Sequence, residues 1–314
     1  MTDRTLLSRT AENIYWLARY VERADSTARL IEMGYRMGMI PGGRPALEWR
    51  SVAAASGCLD AFEDPEGITE AAIVRTLILD AENPSSIRAC LERARTNGRS
   101  VRTVLTTPLW ETLNDGWRKL ELMDPIEAQR DLPSVLDWVK QRGLNIRGAS
   151  TSTMMRDDNY LFLGLGGYVE RADMTLRLLD VKSYLLLPEM DVVGGGRDHH
   201  QWTSVLHATS AVRAYHHARL GDYSPWNIAD FLILNRRFPR SVAFSFAKIG
   251  RCLDLLADTY GEAHACNRTA YQTVAEFRQL QMGEIFRRGL HEFVRDMIIR
   301  TQRLNAEIYE AYHF

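Results

Sequence analysis

The sequence predicts an all-α fold, an internally duplicated helical bundle whose two similar halves pack as one body. Three features point there. Tyr20–Leu30 (YVERADSTARL) and Tyr168–Leu178 (YVERADMTLRL) agree at nine of eleven positions, 148 residues apart. Two more matches follow in the same order. Gly42-Gly43-Arg44 with Trp49, Ser51 and Val52 is answered by Gly195-Gly196-Arg197 with Trp202, Ser204 and Val205; Leu77–Asp80 with Pro84, Ser86 and Ile87 is answered by Leu232–Asn235 with Pro239, Ser241 and Val242. Ordered matches at nearly constant offsets are the mark of tandem copying. Strand signals, by contrast, are almost absent: there is no Asn-Gly hairpin and no sustained alternation of β-branched residues. The halves run from 1 to 150 and from 151 to 314.

The first long helix follows from Ile14, Leu17, Val21, Ala24, Ala28, Ile31 and Tyr35, whose spacing alternates three and four and marks an amphipathic seam. Phe162, Leu165, Val169, Ala172, Leu176 and Leu179 repeat it. Pro41-Gly42-Gly43 and Gly194-Gly195-Gly196 read as the turns after these helices, and Trp49 and Trp202 as anchors seating the next helix in the core. Asn83-Pro84-Ser85-Ser86 reads as a helix start, with Pro84 in its first turn and Asn83 or Ser86 as the cap. Arg88–Arg95, Thr107–Leu120 and Pro125–Gln141 continue as helix in the first half, and Val242–Tyr260 and Ala270–Tyr312 in the second.

Composition bounds the function. With 39 Lys+Arg against 40 Asp+Glu, a generally basic nucleic-acid coat is excluded. No apolar run approaches the ~20 residues of a membrane-spanning helix, and the N-terminus lacks the apolar stretch of an export signal. Cys58, Cys90, Cys252 and Cys266 form no CxxC pair. These features read as a reduced, cytoplasmic protein that binds neither nucleic acid nor membrane.

The twin Glu-Arg-Ala-Asp boxes are the sharpest chemical signal. On a helix Glu22, Asp25 and Arg29 stand at i, i+3 and i+7 along one side, with Arg23 about 100° round from Glu22; Glu170, Asp173, Arg177 and Arg171 repeat the arrangement. Three readings stay open: a structural network of buried Glu–Arg pairs, a ligand or catalytic site, or a solvated face whose salt bridges are each worth under ~1 kcal/mol. Should the copies meet about a pseudo-twofold axis, Glu22, Asp25, Glu170 and Asp173 would face one cavity and could hold Mg²⁺, while Arg23 and Arg171 clamp a carboxylate or phosphate. No metal site is otherwise predicted. A di-iron bundle needs Glu-x-x-His on two helices, and only Glu310 and His313 have that spacing. His199, His200, His207, His216 and His217 lack the cysteines and carboxylates of a metal site, and His207 reads as a partly buried residue. Asn235–Ser241 is the one concentrated basic stretch, so Arg236, Arg237 and Arg240 are candidates for a docking or phosphate-binding face. No P-loop is present, and one-dimensional spacing pairs no Cys or Ser nucleophile with a base.

Taken together, Tyr20–Asp25, its copy at Tyr168–Asp173, Glu82–Ser86, Met155–Asp158 and Phe231–Val242 resemble the bacterial alpha-E family across essentially the whole chain. The resemblance implies an all-helical domain of unknown activity, encoded beside a circularly permuted ATP-grasp protein and a transglutaminase-like protein, in a system that makes or modifies peptides by ATP-dependent amide formation. The family's Glu-Arg box maps onto Glu22, Arg23, Glu170 and Arg171. The copies differ where Arg19 is matched by Gly167, so they need not be functionally equal. Two functions are therefore expected. One is an accessory helical subunit binding the ligase or its substrate. The other is an enzyme on an amide or peptide, in which Glu22 or Glu170 is the acid or base and Arg23 or Arg171 polarises a carbonyl.

Overall fold

The computed structural model describes residues 8–39, 45–184 and 196–314. Within them every regular element is a helix, and there is no strand. The helices of the first half are α1 (Ser8–Gly38), α2 (Pro45–Ser56), α3 (Glu70–Ile73), α4 (Ile87–Ser100), α5 (Thr107–Glu121), α6 (Pro125–Arg130) and α7 (Leu132–Thr153). Those of the second are α8 (Asp158–Tyr184), α9 (Gly196–Ala208), α10 (Val212–Arg219), α11 (Pro225–Leu234), α12 (Val242–Tyr260), α13 (Ala265–Gln279), α14 (Met282–Arg288) and α15 (Leu290–Tyr312). Pro41–Arg44, Gly194 and Gly195 fall outside the described residues, so the turns expected there do too.

Two long helices, α1 and α8, lie against each other at the centre, and the rest wrap them. Helix α1 packs on α4 and α7, and α8 packs on α12 and α15; α2 and α9 each cross to touch both central helices. The two apolar seams are buried as expected, apart from half-buried Tyr35. In α1, however, Glu22, Asp25, Ser26, Thr27 and Arg29 are buried as well. The helix is covered on every side over its Glu-Arg box, so its charges must find partners within the protein.

Local chemistry places the helix starts. Ser86 and Ser241 occupy the same role before α4 and α12: each hydroxyl accepts from the backbone N–H three residues on, Ala89 at 3.0 Å and Phe244 at 3.1 Å, and donates back to a carbonyl, of Asp80 and Asn235 respectively. Pro84 sits in the turn before α4, ahead of the first helical residue. Trp49 and Trp202 are buried. Other expectations change. Pro125–Gln141 breaks at Asp131, whose side chain caps α7. Ala270–Tyr312 is three helices, because Leu280 and Gln281 are extended and Gly289 has φ +100°. Val74–Leu79 is a π-helix, where its sequence counterpart lies in the α-helix α11. His207 is exposed on α9.

The central helices come close together at Gly166, where an added Cβ would collide with the backbone carbonyl of Tyr15. At Gly167, one residue on, a Cβ would meet nothing within 4 Å. Gly166→Ala is therefore expected to destabilise the protein by about 1–3 kcal/mol by overpacking. Gly167→Ala should leave stability unchanged or raise it by up to about 1 kcal/mol through helix propensity. Chemical denaturation of the two variants beside the parent measures both.

Candidate functional site

The Glu-Arg boxes meet across the α1–α8 contact and satisfy each other. Arg171 donates to Glu22 through Nε (2.8 Å) and Nη2 (2.9 Å). Reciprocally, Arg23 donates to Glu170 through Nε (2.6 Å) and Nη2 (3.0 Å). These are fork-like, charge-assisted pairs whose carboxylates are almost fully enclosed. One turn along each helix a second pair lies within the same strand of chain: Arg29 holds Asp25 at 3.1 Å, and Arg177 holds Asp173 at 2.6 Å. The free ends of these arginines reach over to α9 and α2, donating to the carbonyls of Ala208 (2.7 Å) and Ala55 (3.2 Å). Thr27 and Thr175 donate to the carbonyls of Ser85 and Arg240, which tethers each central helix to a helix start.

Beyond this shared frame the two sides differ. Glu22 also receives Arg147 Nη1 (2.9 Å) from α7 and Arg240 Nη1 (3.2 Å), and Arg240 Nη2 reaches Asp25 at 2.6 Å. Four guanidiniums thus surround two carboxylates. On the other side Arg19 joins Arg23 on Glu170 (2.7 Å), and Asp173 keeps one enclosed oxygen with no hydrogen bond. The cause is legible in the residues: Arg240 has Ser85 as its counterpart, so no guanidinium is delivered from that turn. Of the basic stretch, Arg240 is inside the network, Arg236 donates to the carbonyls of Phe277 and Arg278, and Arg237 is exposed; the three do not share one face. Arg147, which supports both Glu22 and Asp25, was invisible to spacing. Arg19 showed itself only as a difference between the copies.

These contacts decide the protonation states. Burial would raise the Glu170 carboxyl, but Arg19 and Arg23 outweigh it and hold the group at about 2. Burial acts likewise on Glu22, where Arg171, then Arg147 and Arg240, hold it well below the usual carboxylate range. Arg240 shows the opposite strain: burial, against the pull of Asp25, brings it down to about 10. The carboxylates face guanidiniums instead of one another, and among the described residues no three His, Cys, Asp or Glu side chains gather in a way that could hold a metal ion. Burial also pushes the thiols up, Cys90 to about 12 and Cys252 to about 11.

Beside Glu22 opens a cleft of ≈ 300 Å³ between α1, α7, α8 and α12. Its walls are apolar (Leu17, Val21, Ile146, Leu161, Leu163, Leu255), with Tyr160, Tyr168 and Cys252 among them; Arg147, Arg171, Lys248 and Arg251 supply its charge, against Glu22 alone.

Residues 6–313 match the model of a family described as a predicted alpha-helical domain with a conserved ER motif; Glu-Arg dipeptides stand in this chain at Glu22-Arg23, Glu92-Arg93 and Glu170-Arg171. No curated protein and no solved structure matches the chain.

Because Glu170 drops from the ordinary 4.5 to about 2 on folding, its pairing contributes stability that is full above pH 4.5 and lost as pH falls toward 2. Glu170→Gln is expected to cost about 3–5 kcal/mol at pH 7 and to flatten the fall in stability over that acid window. Thermal unfolding of parent and variant from pH 7 to 2 tests both; a variant that melts like the parent at pH 7 contradicts the pairing.

Proposed function

This chain belongs to the Alpha-E family, and we propose that it serves in the cytoplasm as a helical accessory subunit of a system that makes or modifies peptides by ATP-grasp amide formation. One observation carries the choice of a binding role over an enzymatic one: Glu22 and Glu170 are almost fully buried, and each is hydrogen-bonded to the arginine of the other box. A general acid or base must reach its substrate and titrate near working pH. Glu170 at about 2 and Glu22 well below the usual range stay ionised, and their lone pairs are taken by guanidiniums. The raised thiols of Cys90 and Cys252 remain protonated at neutral pH and are poor nucleophiles. On this reading Glu22, Arg23, Glu170 and Arg171, with Asp25, Arg29, Asp173 and Arg177, hold the two halves together.

The halves, 1–150 and 151–314, then derive from one helical module copied in tandem. The matched bonds of Thr27 and Thr175, Arg29 and Arg177, and Ser86 and Ser241 support this. So does the change of element at Met154–Asp157, between α7 and α8, close to the boundary. No helix among the described residues is long and apolar enough to cross a membrane, and the four cysteines are free, in keeping with the proposed compartment. The partners are a circularly permuted ATP-grasp protein and a transglutaminase-like protein, and exposed Arg237 is available to an acidic partner.

Size-exclusion chromatography of the purified protein mixed with the ATP-grasp protein encoded beside it, at micromolar concentration, is expected to show a common peak. Separate elution at that concentration overturns the accessory reading.

A further inference from the structure

The cleft beside Glu22 exists because of two glycines. Gly164 and Gly167 of α8 lie one turn apart where α1 carries Trp16 and Arg19 at the same 148-residue offset. On α1 those two side chains stack, with the Arg19 guanidinium 4.9 Å from the Trp16 ring. Arg19 also reaches Asn305 of α15 and Glu170 of α8, occupying the space between the central helices and α15. On α8 the glycines leave the related space, bordered by α1 and α7, open.

Packing does not account for these glycines. Gly166 beside them is required by the Tyr15 carbonyl, but a Cβ at Gly167 meets nothing, and one at Gly164 makes only ordinary contact with Cys252 Sγ at 3.5 Å. A glycine inside a helix costs about 1 kcal/mol relative to alanine, so these two stand against propensity with no neighbour that needs them. What they do create is the hollow.

The hollow also carries a surplus of positive charge. Glu22 already accepts from Arg171, Arg147 and Arg240, while Arg147 Nη2 is enclosed without a partner. At the mouth, Lys248 and Arg251 are exposed, and neither has a carboxylate partner among the described residues. A surplus of cations over an apolar floor complements an anionic head on an apolar body. At ≈ 300 Å³ the space lies at the small end of ligand pockets, which run from about 300 to 1,000 Å³.

We propose that the Gly164–Gly167 cleft is a binding site for a small amphiphilic anion, its carboxylate or phosphate head held by Arg147, Lys248 and Arg251 and its apolar part laid along α8. This site does not depend on the partnership with a ligase, and it can be occupied whether or not a common peak elutes. Calorimetric titration with hexanoate, hexyl phosphate, hexanamide and inorganic phosphate tests it directly. Hexanoate or hexyl phosphate is expected to bind in the millimolar range or tighter, at least tenfold better than hexanamide and inorganic phosphate, and the tighter of the two identifies the head. Gly167→Leu fills the cleft and should abolish binding while keeping or raising the melting temperature; Arg251→Glu should weaken binding at least tenfold with the fold intact. Equal affinity for hexanamide, equal affinity for inorganic phosphate, no binding at 10 mM, or binding untouched by Gly167→Leu each overturns the proposal.

Discussion

The molecule is organised around two buried carboxylates that cannot be stable alone. Glu22 and Glu170 sit almost without exposure at the contact of α1 and α8, and a buried charge is tolerated only when it is paired and hydrogen-bonded. Each takes its principal guanidinium from the opposite helix, Arg171 and Arg23. The pairing therefore closes only when both helices are in place and in register. A slip along either axis by one residue would turn a guanidinium about 100° away from its carboxylate. Such pairs add little net stability over a well-packed apolar contact; what they contribute here is register. The rest of the fold is arranged to keep them dry: α4 and α7 against α1, α12 and α15 against α8, and α2 and α9 straddling the pair.

Within that frame the two halves differ in charge, and the difference has structural consequences. Arg240, with Arg147, crowds a second and third guanidinium around Glu22 and Asp25, and burial, with Arg29 and Arg171 adding to it, depresses Arg240. Its counterpart Ser85 supplies only a backbone carbonyl, and Asp173 is left with an unmatched oxygen. Conversely, Trp16 and Arg19 fill one side of the central contact, and Gly164 and Gly167 empty the other. One side of the helix pair is thus a closed, neutralised core, and the other is a hollow rimmed by cations.

The helical class, the two central helices, the helix start after Asn83–Ser86 and the burial of Trp49 and Trp202 were all readable from local pattern, because helix periodicity and capping are properties of neighbouring residues. The breaks at Asp131, Leu280–Gln281 and Gly289 were not. They fall in stretches whose composition suits a helix, and the chain turns there to pack α7, α14 and α15. The Glu-Arg boxes drew attention as a pattern, but whether they faced water, a ligand or each other could not be read from one helix.

Spacing along the chain settled which residues stand on one helical face, since that depends only on the 3.6-residue turn. The docking of α1 on α8 settled everything that requires a partner remote in sequence: the crossed pairs of Glu22 with Arg171 and Glu170 with Arg23, the arrival of Arg147 and Arg240, and the cleft left by two glycines. Electrostatic energy and free volume depend on distances between helices, and those come into being only when the helices pack.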